Sequence, residues 1–191
     1  MTRTNRERTE QTQQALIAAA RRLFVDKGYA ETATPDIVSA AGVTRGALYH
    51  HFEDKRALFR AVIELEAGKV AEEIESRSAD AQSPRDALLT GASAYFDAMA
   101  AEGRTRLLLL EAPAVLGAEA SAIDRENAEE SLRRGLAAML PAGTMQLGAL
   151  TALLSAAFDR AAIEIEQGGV RADYEQAIAG LVDGLADHLR R

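Results

Sequence analysis

The chain has no cysteine and no tryptophan, three histidines, four prolines and 5% aromatic residues. Without cysteine there is no disulfide framework, no thiolate metal site and no thiol nucleophile. Of the histidines His50, His51 and His188, the first two are neighbours whose side chains leave a helix about 100° apart, a poor pair of metal ligands. None has Glu three residues before it, as di-iron bundles require, and no H-E-x-x-H, G-x-G-x-x-G or phosphate-loop pattern occurs. Nothing ties His188 to a serine. The chain is therefore expected not to be an enzyme and to need no cofactor and no metal. Long apolar runs are also missing. The stretch Met145 to Phe158 ends at Asp159, short of the roughly 18 residues a membrane span needs, so no membrane contact is expected. The opening MTRTNRERTEQTQQ lacks the apolar core of a secretory signal, which makes the cytoplasm the expected location.

What is present is an ordinary globular composition. The 191 residues are 48% hydrophobic and 27% charged, enough for one compact unit or a small domain joined to a larger one. The net charge of −7 is unevenly spread: residues 1–60 hold ten Lys/Arg and seven Asp/Glu, and residues 61–191 hold twelve and twenty-two. That is the pattern of a small polyanion-binding head on an acidic body, and also one that chance surface variation produces. β-Branched residues are sparse and no stretch alternates with period two. Leu16, Ala19, Ala20, Leu23 and Phe24 form instead a stripe of helical period, closed at Lys27-Gly28. Thr34, Thr44, Asp54 and Ser83 read as N-caps, Pro35 and Pro84 as first-turn prolines. The spacing predicts an all-α chain of about nine helices. Among them are one long helix over Lys55–Ser78, a short one over Arg104–Glu111 ending before Pro113, and a single one over Ala118–Leu140.

Residues 34–52 carry the most information. Two short helices joined by Ala41-Gly42-Val43-Thr44 have the form of a helix-turn-helix, with Ile37, Ala41, Val43, Leu48 and Phe52 turned inward. Arg45, Gly46, Tyr49 and His50 are left facing out. Arg pairs with guanine or phosphate, a Tyr hydroxyl donates to phosphate, and a residue without a side chain permits close approach. A half-buried aromatic is the plain alternative for Tyr49.

Gly28-Tyr29, Asp36-Ile37, Ala40-Ala41-Gly42-Val43-Thr44-Arg45-Gly46-Ala47-Leu48-Tyr49-His50-His51-Phe52, Lys55 and Leu58 together resemble the DNA-binding domain of the TetR family of bacterial transcriptional regulators. The likeness covers roughly residues 10–60. It implies a helix-turn-helix domain over residues 1–54, with a basic arm over about 1–9 that contains Arg3, Arg6 and Arg8. It also implies a ligand-binding and dimerisation domain over residues 55–191. By the same resemblance Arg45, Gly46, Tyr49 and His50 contact operator DNA, and Thr34, Thr44 and Lys55 meet its phosphates. Ala33 departs from the Ser or Thr that often caps the second helix, and Val38 from a common small Ala. The implied function is that of a repressor which a small-molecule effector releases from a double-stranded operator. The competing reading is a helical ligand-binding module without DNA affinity.

For the effector, Tyr95, Phe96, Met99, Leu107 and Leu110 are candidate lining residues, with plain core packing as the alternative for each. Glu111 and Asp159, set among apolar residues, are the acids expected to point inward, where a ligand amine or an Arg would partner them. Leu150, Leu153, Leu154, Ala157 and Phe158 on one late helix form a candidate homodimer interface with Ile178, Leu181, Val182, Leu185 and Leu189 on the next.

Overall fold

The computed structural model describes residues 5–189, apart from the side chains of Asn5, Ala186, His188 and Leu189. Arg3 of the expected arm lies outside the described residues. These residues form ten α-helices and one π-helical segment, and no strand occurs among them. By packing, the chain divides into two units, Met1–Glu66 with Arg106–Ala120, and Ala67–Thr105 with Ser121–Arg191.

The first unit contains α1 (Asn5–Glu31), α2 (Thr34–Ala41), α3 (Arg45–His51) and the first half of α4 (Lys55–Ser78). The π-helical segment Arg106–Glu111 and α6 (Ala112–Leu116) belong to it too. The expected basic arm is largely helical: Arg6 and Arg8 stand in α1, where Arg6 pairs with Glu10 one turn on at 2.9 Å. Leu16, Phe24, Ile37, Leu48, Leu58, Phe59 and Val62 are fully buried and form the core. The Phe24 and Phe59 rings meet edge to face, with centroids 5.1 Å apart. The α2–α3 turn closes as its composition dictates: Gly42 adopts φ 65°, ψ 31°, and Thr44 accepts a hydrogen bond from the Ala47 N–H at 3.1 Å. The α2 cap is different. Ala33, not Thr34, is the N-cap, and no side chain caps this helix, because Thr34 already has helical geometry with Pro35 behind it.

At Gly28, where the stripe of helical period is expected to close, α1 is broken (φ 84°, ψ 163°), and a Cβ there would stand 2.5 Å from the Arg106 guanidinium and 3.1 Å from Glu111. Gly28→Ala is expected to cost more than about 1 kcal/mol of stability, measurable as a lower urea midpoint, since both the positive φ and the clash oppose the methyl. The stretch at Pro113 departs from the sequence pattern, since the proline does not end its helix. The preceding turn widens into the π segment, and the proline falls in the first turn of α6, where no N–H is needed.

The second unit is built from the rest of α4, α5 (Pro84–Met99), α7 (Ala118–Arg125), α8 (Ala128–Met139), α9 (Leu147–Glu166) and α10 (Arg171–Leu189), α7 entering it from Ser121 onward. The single helix expected over Ala118–Leu140 is two. Asn127 leaves helical geometry (φ −124°, ψ −106°), and its amide donates back to the Ile123 carbonyl at 2.6 Å, supplying the partner the broken helix lost. Tyr95, Phe96 and Phe158 pack ring against ring at the centre, with centroids 5.6–5.9 Å apart.

Candidate functional site

The outer face of α3 is open. Leu48 is fully buried and anchors the helix, whereas Thr44, Arg45, Gly46, Tyr49 and His50 are all exposed. Tyr49 is 45% exposed, and the Arg45 guanidinium lies 5.5 Å over its ring, which holds cation and phenol side by side. Gly46 has no internal reason to be glycine, since an added Cβ would meet nothing nearer than the Thr44 hydroxyl at 3.9 Å. A glycine inside a helix costs about 1 kcal/mol relative to alanine, and here that cost leaves bare backbone on the outer face.

Lys55, expected at a phosphate, is turned into its own unit. Its ammonium donates to the Tyr29 and Thr32 carbonyls at 2.8 and 3.0 Å and sits 4.2 Å over the Tyr29 ring. It thus ties the α1–α2 connection to the start of α4 through carbonyls at the end of α1 and just beyond it. Lys55→Ala is expected to lower stability by roughly 1–3 kcal/mol, read as a fall in thermal midpoint, because two charge-assisted bonds are lost together.

The acid Glu111 also serves the first unit. Its carboxylate takes the Arg106 guanidinium at 2.6 Å and accepts the Tyr29 N–H at 2.9 Å, and Arg106 donates to the Val25 carbonyl at 3.3 Å. Leu107 is fully buried here and Leu110 is 49% exposed, and neither they nor Glu111 are in the lining of the second unit's cavity. A further acid, Glu66, was given no role by the sequence pattern. It is fully buried and paired with Arg21 at 3.1 Å.

The second unit contains a cavity of about 320 Å³ between α4, α5, α8 and α9. Tyr95 and Asp159 line it as expected, with Ile74, Leu88, Leu132 and Phe158 supplying much of the apolar wall. Phe96 and Met99 are buried but do not reach it. On an α-helix Tyr95 and its next neighbour point about 100° apart, and only one of them faces the opening. The Tyr95 hydroxyl donates to Asp159 at 2.7 Å; burial, then the nearby Asp159 charge, pushes its phenol well above the usual tyrosine range. Burial also raises the Asp159 carboxyl, against the lowering effect of that hydrogen bond. Asp124 is pushed up to about 7, by burial first and then by the charges of Asp159 and Glu129. Glu75 and Arg134, also in the lining, are paired with each other. Among the described residues no group of three or more histidines and acids is placed to hold a metal.

Of the residues expected at a subunit interface, Leu154, Phe158, Ile178 and Val182 are buried inside the second unit. Leu153 and Leu181 are 71% and 52% exposed, and Leu150, Ala157 and Leu185 are half-buried. The apolar arc of α9 and α10 is wider than one contact face, so a stripe read as a single surface divides between core and exterior. The side chain of Leu189 lies outside the described part.

Comparison with known proteins matches the chain in two parts. Residues 16–62 match the model of the bacterial regulatory proteins of the tetR family, and residues 85–189 match the tetracyclin repressor-like C-terminal domain. The chain is 34% identical over 110 residues to the HTH-type transcriptional regulator AcrR of Shigella flexneri, covering 57% of this chain and 51% of that one. It is 43% identical over 63 residues to the transcriptional repressor BepR of Brucella suis, covering 33% and 30%. The matches thus span about half the length of the first of these curated relatives and under a third of the second. A TetR-family regulator from Pectobacterium atrosepticum superposes over 98% of this chain and 97% of its own, with a TM-score of 0.72 and 30% identity. No described helix is long and apolar enough to cross a membrane. With the C-terminal model alone spanning more than half of the residues and that structure matching nearly end to end, the chain belongs to the TetR family of bacterial regulatory proteins.

Proposed function

We propose that the chain is a homodimeric repressor that binds a double-stranded operator through α3 and releases it when a small-molecule effector enters the cavity of the second unit. The observation that carries the reading is the outer face of α3. A cation, a phenol, an imidazole and a bare glycine are exposed together on a helix whose opposite side is locked by Leu48. Arg45, Gly46, Tyr49 and His50 enter the major groove, and Thr44 and Thr34 meet phosphates. Residues 1–54 carry these contacts; residues 55–191 carry the cavity and the dimer surface. Lys55 acts by holding α1 and α2 in place.

A dimer fits the need for a second recognition helix, since one reads too short a site, and two related half-sites lie about 34 Å apart or slightly more. The exposed Leu153 and Leu181 supply apolar surface for it. The effector acts along α4, a single helix whose residues up to Glu66 pack in one unit and whose residues from Ala67 pack in the other. A coupling of about 1–3 kcal/mol changes operator occupancy roughly 5- to 150-fold.

The test is selection of bound fragments from the source genome, followed by binding of a selected fragment across a salt series. A specific fragment whose affinity falls steeply with salt is expected, at about one unit of slope for each phosphate neutralised. Absence of any enriched fragment, or a flat salt dependence, refutes DNA binding.

A further inference from the structure

The cavity of the second unit contains a carboxylate for which the protein supplies no counter-charge. Asp159 lines it and accepts a hydrogen bond from the Tyr95 hydroxyl. Asp124, on α7, lies close enough for the Asp159 charge to oppose its ionisation, and its own contact is the Ser155 hydroxyl at 3.5 Å. Neither acid forms an ion pair with a described residue. Arg134, the cation in the lining, is held by Glu75 and bonded to Ser131. Arg125 exerts the smallest of the influences on Asp124, while Glu129 adds further negative charge to both. The remaining surface is apolar and aromatic, with the Tyr95 and Phe158 rings set edge to face at 5.7 Å.

We propose that this cavity takes an organic cation, a protonated or quaternary amine on an apolar body, with its charge placed at Asp159 and the nearby Asp124 charge adding to the attraction. The proposal rests on the reading of the cavity as the effector site and names the chemistry of what enters. A carboxylate taken out of water is costly unless paired, and a ligand cation supplies what the fold withholds. The two rings add faces on which an ammonium is attracted, and the cavity falls at the lower end of the size range for small-ligand sites. An anionic ligand would bring a further negative charge, and a neutral one would gain nothing from an ionised Asp159. Because burial holds Asp124 near 7, the empty site keeps a proton there near neutral pH that an arriving cation expels, and burial raises Asp159 in the same direction.

The test uses the full chain and four probes of one shape, measured by titration calorimetry: 4-phenylbutylamine, its trimethylammonium analogue, 4-phenylbutan-1-ol and 4-phenylbutanoate. Both cations are expected to bind at least about tenfold more tightly than the alcohol, and the carboxylate to bind weakest of the four. The quaternary cation, whose charge is independent of pH, is expected to bind more tightly at pH 8 than at pH 6 and to release protons at pH 6–7. Asp159→Asn, which preserves an acceptor for Tyr95, narrows the preference to about threefold or less, and Asp124→Asn removes most of the pH dependence. Equal binding of alcohol and amine, tightest binding of the carboxylate, no binding of any probe, or an undiminished preference in Asp159→Asn overturns the proposal. Release of DNA is measured separately. Cation-selective binding without any effect on DNA upholds this site and removes the effector reading, and DNA release by the alcohol or carboxylate alone does the reverse.

Discussion

Arg45→Ala is expected to weaken binding to a selected operator fragment by about 10- to 100-fold per half-site while the thermal midpoint stays unchanged. The size follows from the roughly 1–3 kcal/mol that a well-placed Arg contributes to a base or phosphate contact, at about 1.4 kcal/mol per tenfold. Stability is spared because Arg45 is exposed and its described ring contact is with Tyr49, on the same outer face. The salt dependence tells which contact Arg45 makes. Loss of a phosphate contact lowers the log–log slope by about one and weakens all sequences alike, whereas loss of a guanine contact leaves the slope and relaxes specificity at one position. Tyr49→Phe removes a single hydroxyl and is expected to cost about 0.5–1.5 kcal/mol. Anisotropy titrations showing wild-type affinity for both variants, with dimers intact, exclude α3 as the recognition helix.

The second large effect concerns acid and stability. Asp124 titrates near 7 in the fold and at an ordinary aspartate value of 3.8 when unfolded, and Asp159 is shifted the same way. Between pH 4 and 7 Asp124 therefore binds more proton in the folded chain than in the unfolded one, so it makes stability fall as pH rises through that window and level off above it, and Asp159 acts in the same sense. At about 1.36 kcal/mol per unit the ceiling for Asp124 is about 4 kcal/mol, reduced where water reaches the cavity. Asp124→Asn is expected to stabilise the protein by roughly 1–3 kcal/mol at pH 8 and to change little at pH 4, as judged by urea unfolding at both values. The acids held low by arginines, Asp97 beside Arg171 and Arg77, and Asp183 beside Arg85, act in the opposite sense. Their contribution is present above the ordinary carboxylate range and lost only below it, outside this window. A variant no more stable than wild type at pH 8 shows that Asp124 is not buried as a charge.

How much was readable from the residues depended on how local the physics was. The turn at Gly42-Val43-Thr44 was legible because a left-handed glycine and a capping threonine act within four residues. The same holds for Asp54 and Ser83, which accept the N–H groups three residues ahead. Lys55 was misread because exposure of a long side chain is set by what stands within its reach, here two carbonyls 23 and 26 residues away in sequence. For Glu111 the residue type leaves open a ligand amine or an arginine as partner, and the contacts it makes are with the Arg106 guanidinium and the Tyr29 N–H. Asp124 carried no sequence signal. Its neighbours lie on either side, Arg125 and Ile123, in an ordinary amphipathic pattern, and only its burial near Asp159 makes it unusual.

The amino-acid sequence by itself determined the helical class, the limits of the early helices, the tight turn and the chemistry of the α3 face, since caps, glycine geometry and period-3.6 burial are interactions between near neighbours. Tertiary structure alone decided that Arg106–Ala120 packs with the first 66 residues and that Lys55 and Glu111 are internal. It also decided which apolar residues of α9 face the core, and that Asp159 lines a cavity with Asp124 near it and no ion-pair partner for either. These outcomes depend on which distant surfaces come into contact, and the energy of an ionisable group is set by the dielectric and charges that such contacts place around it.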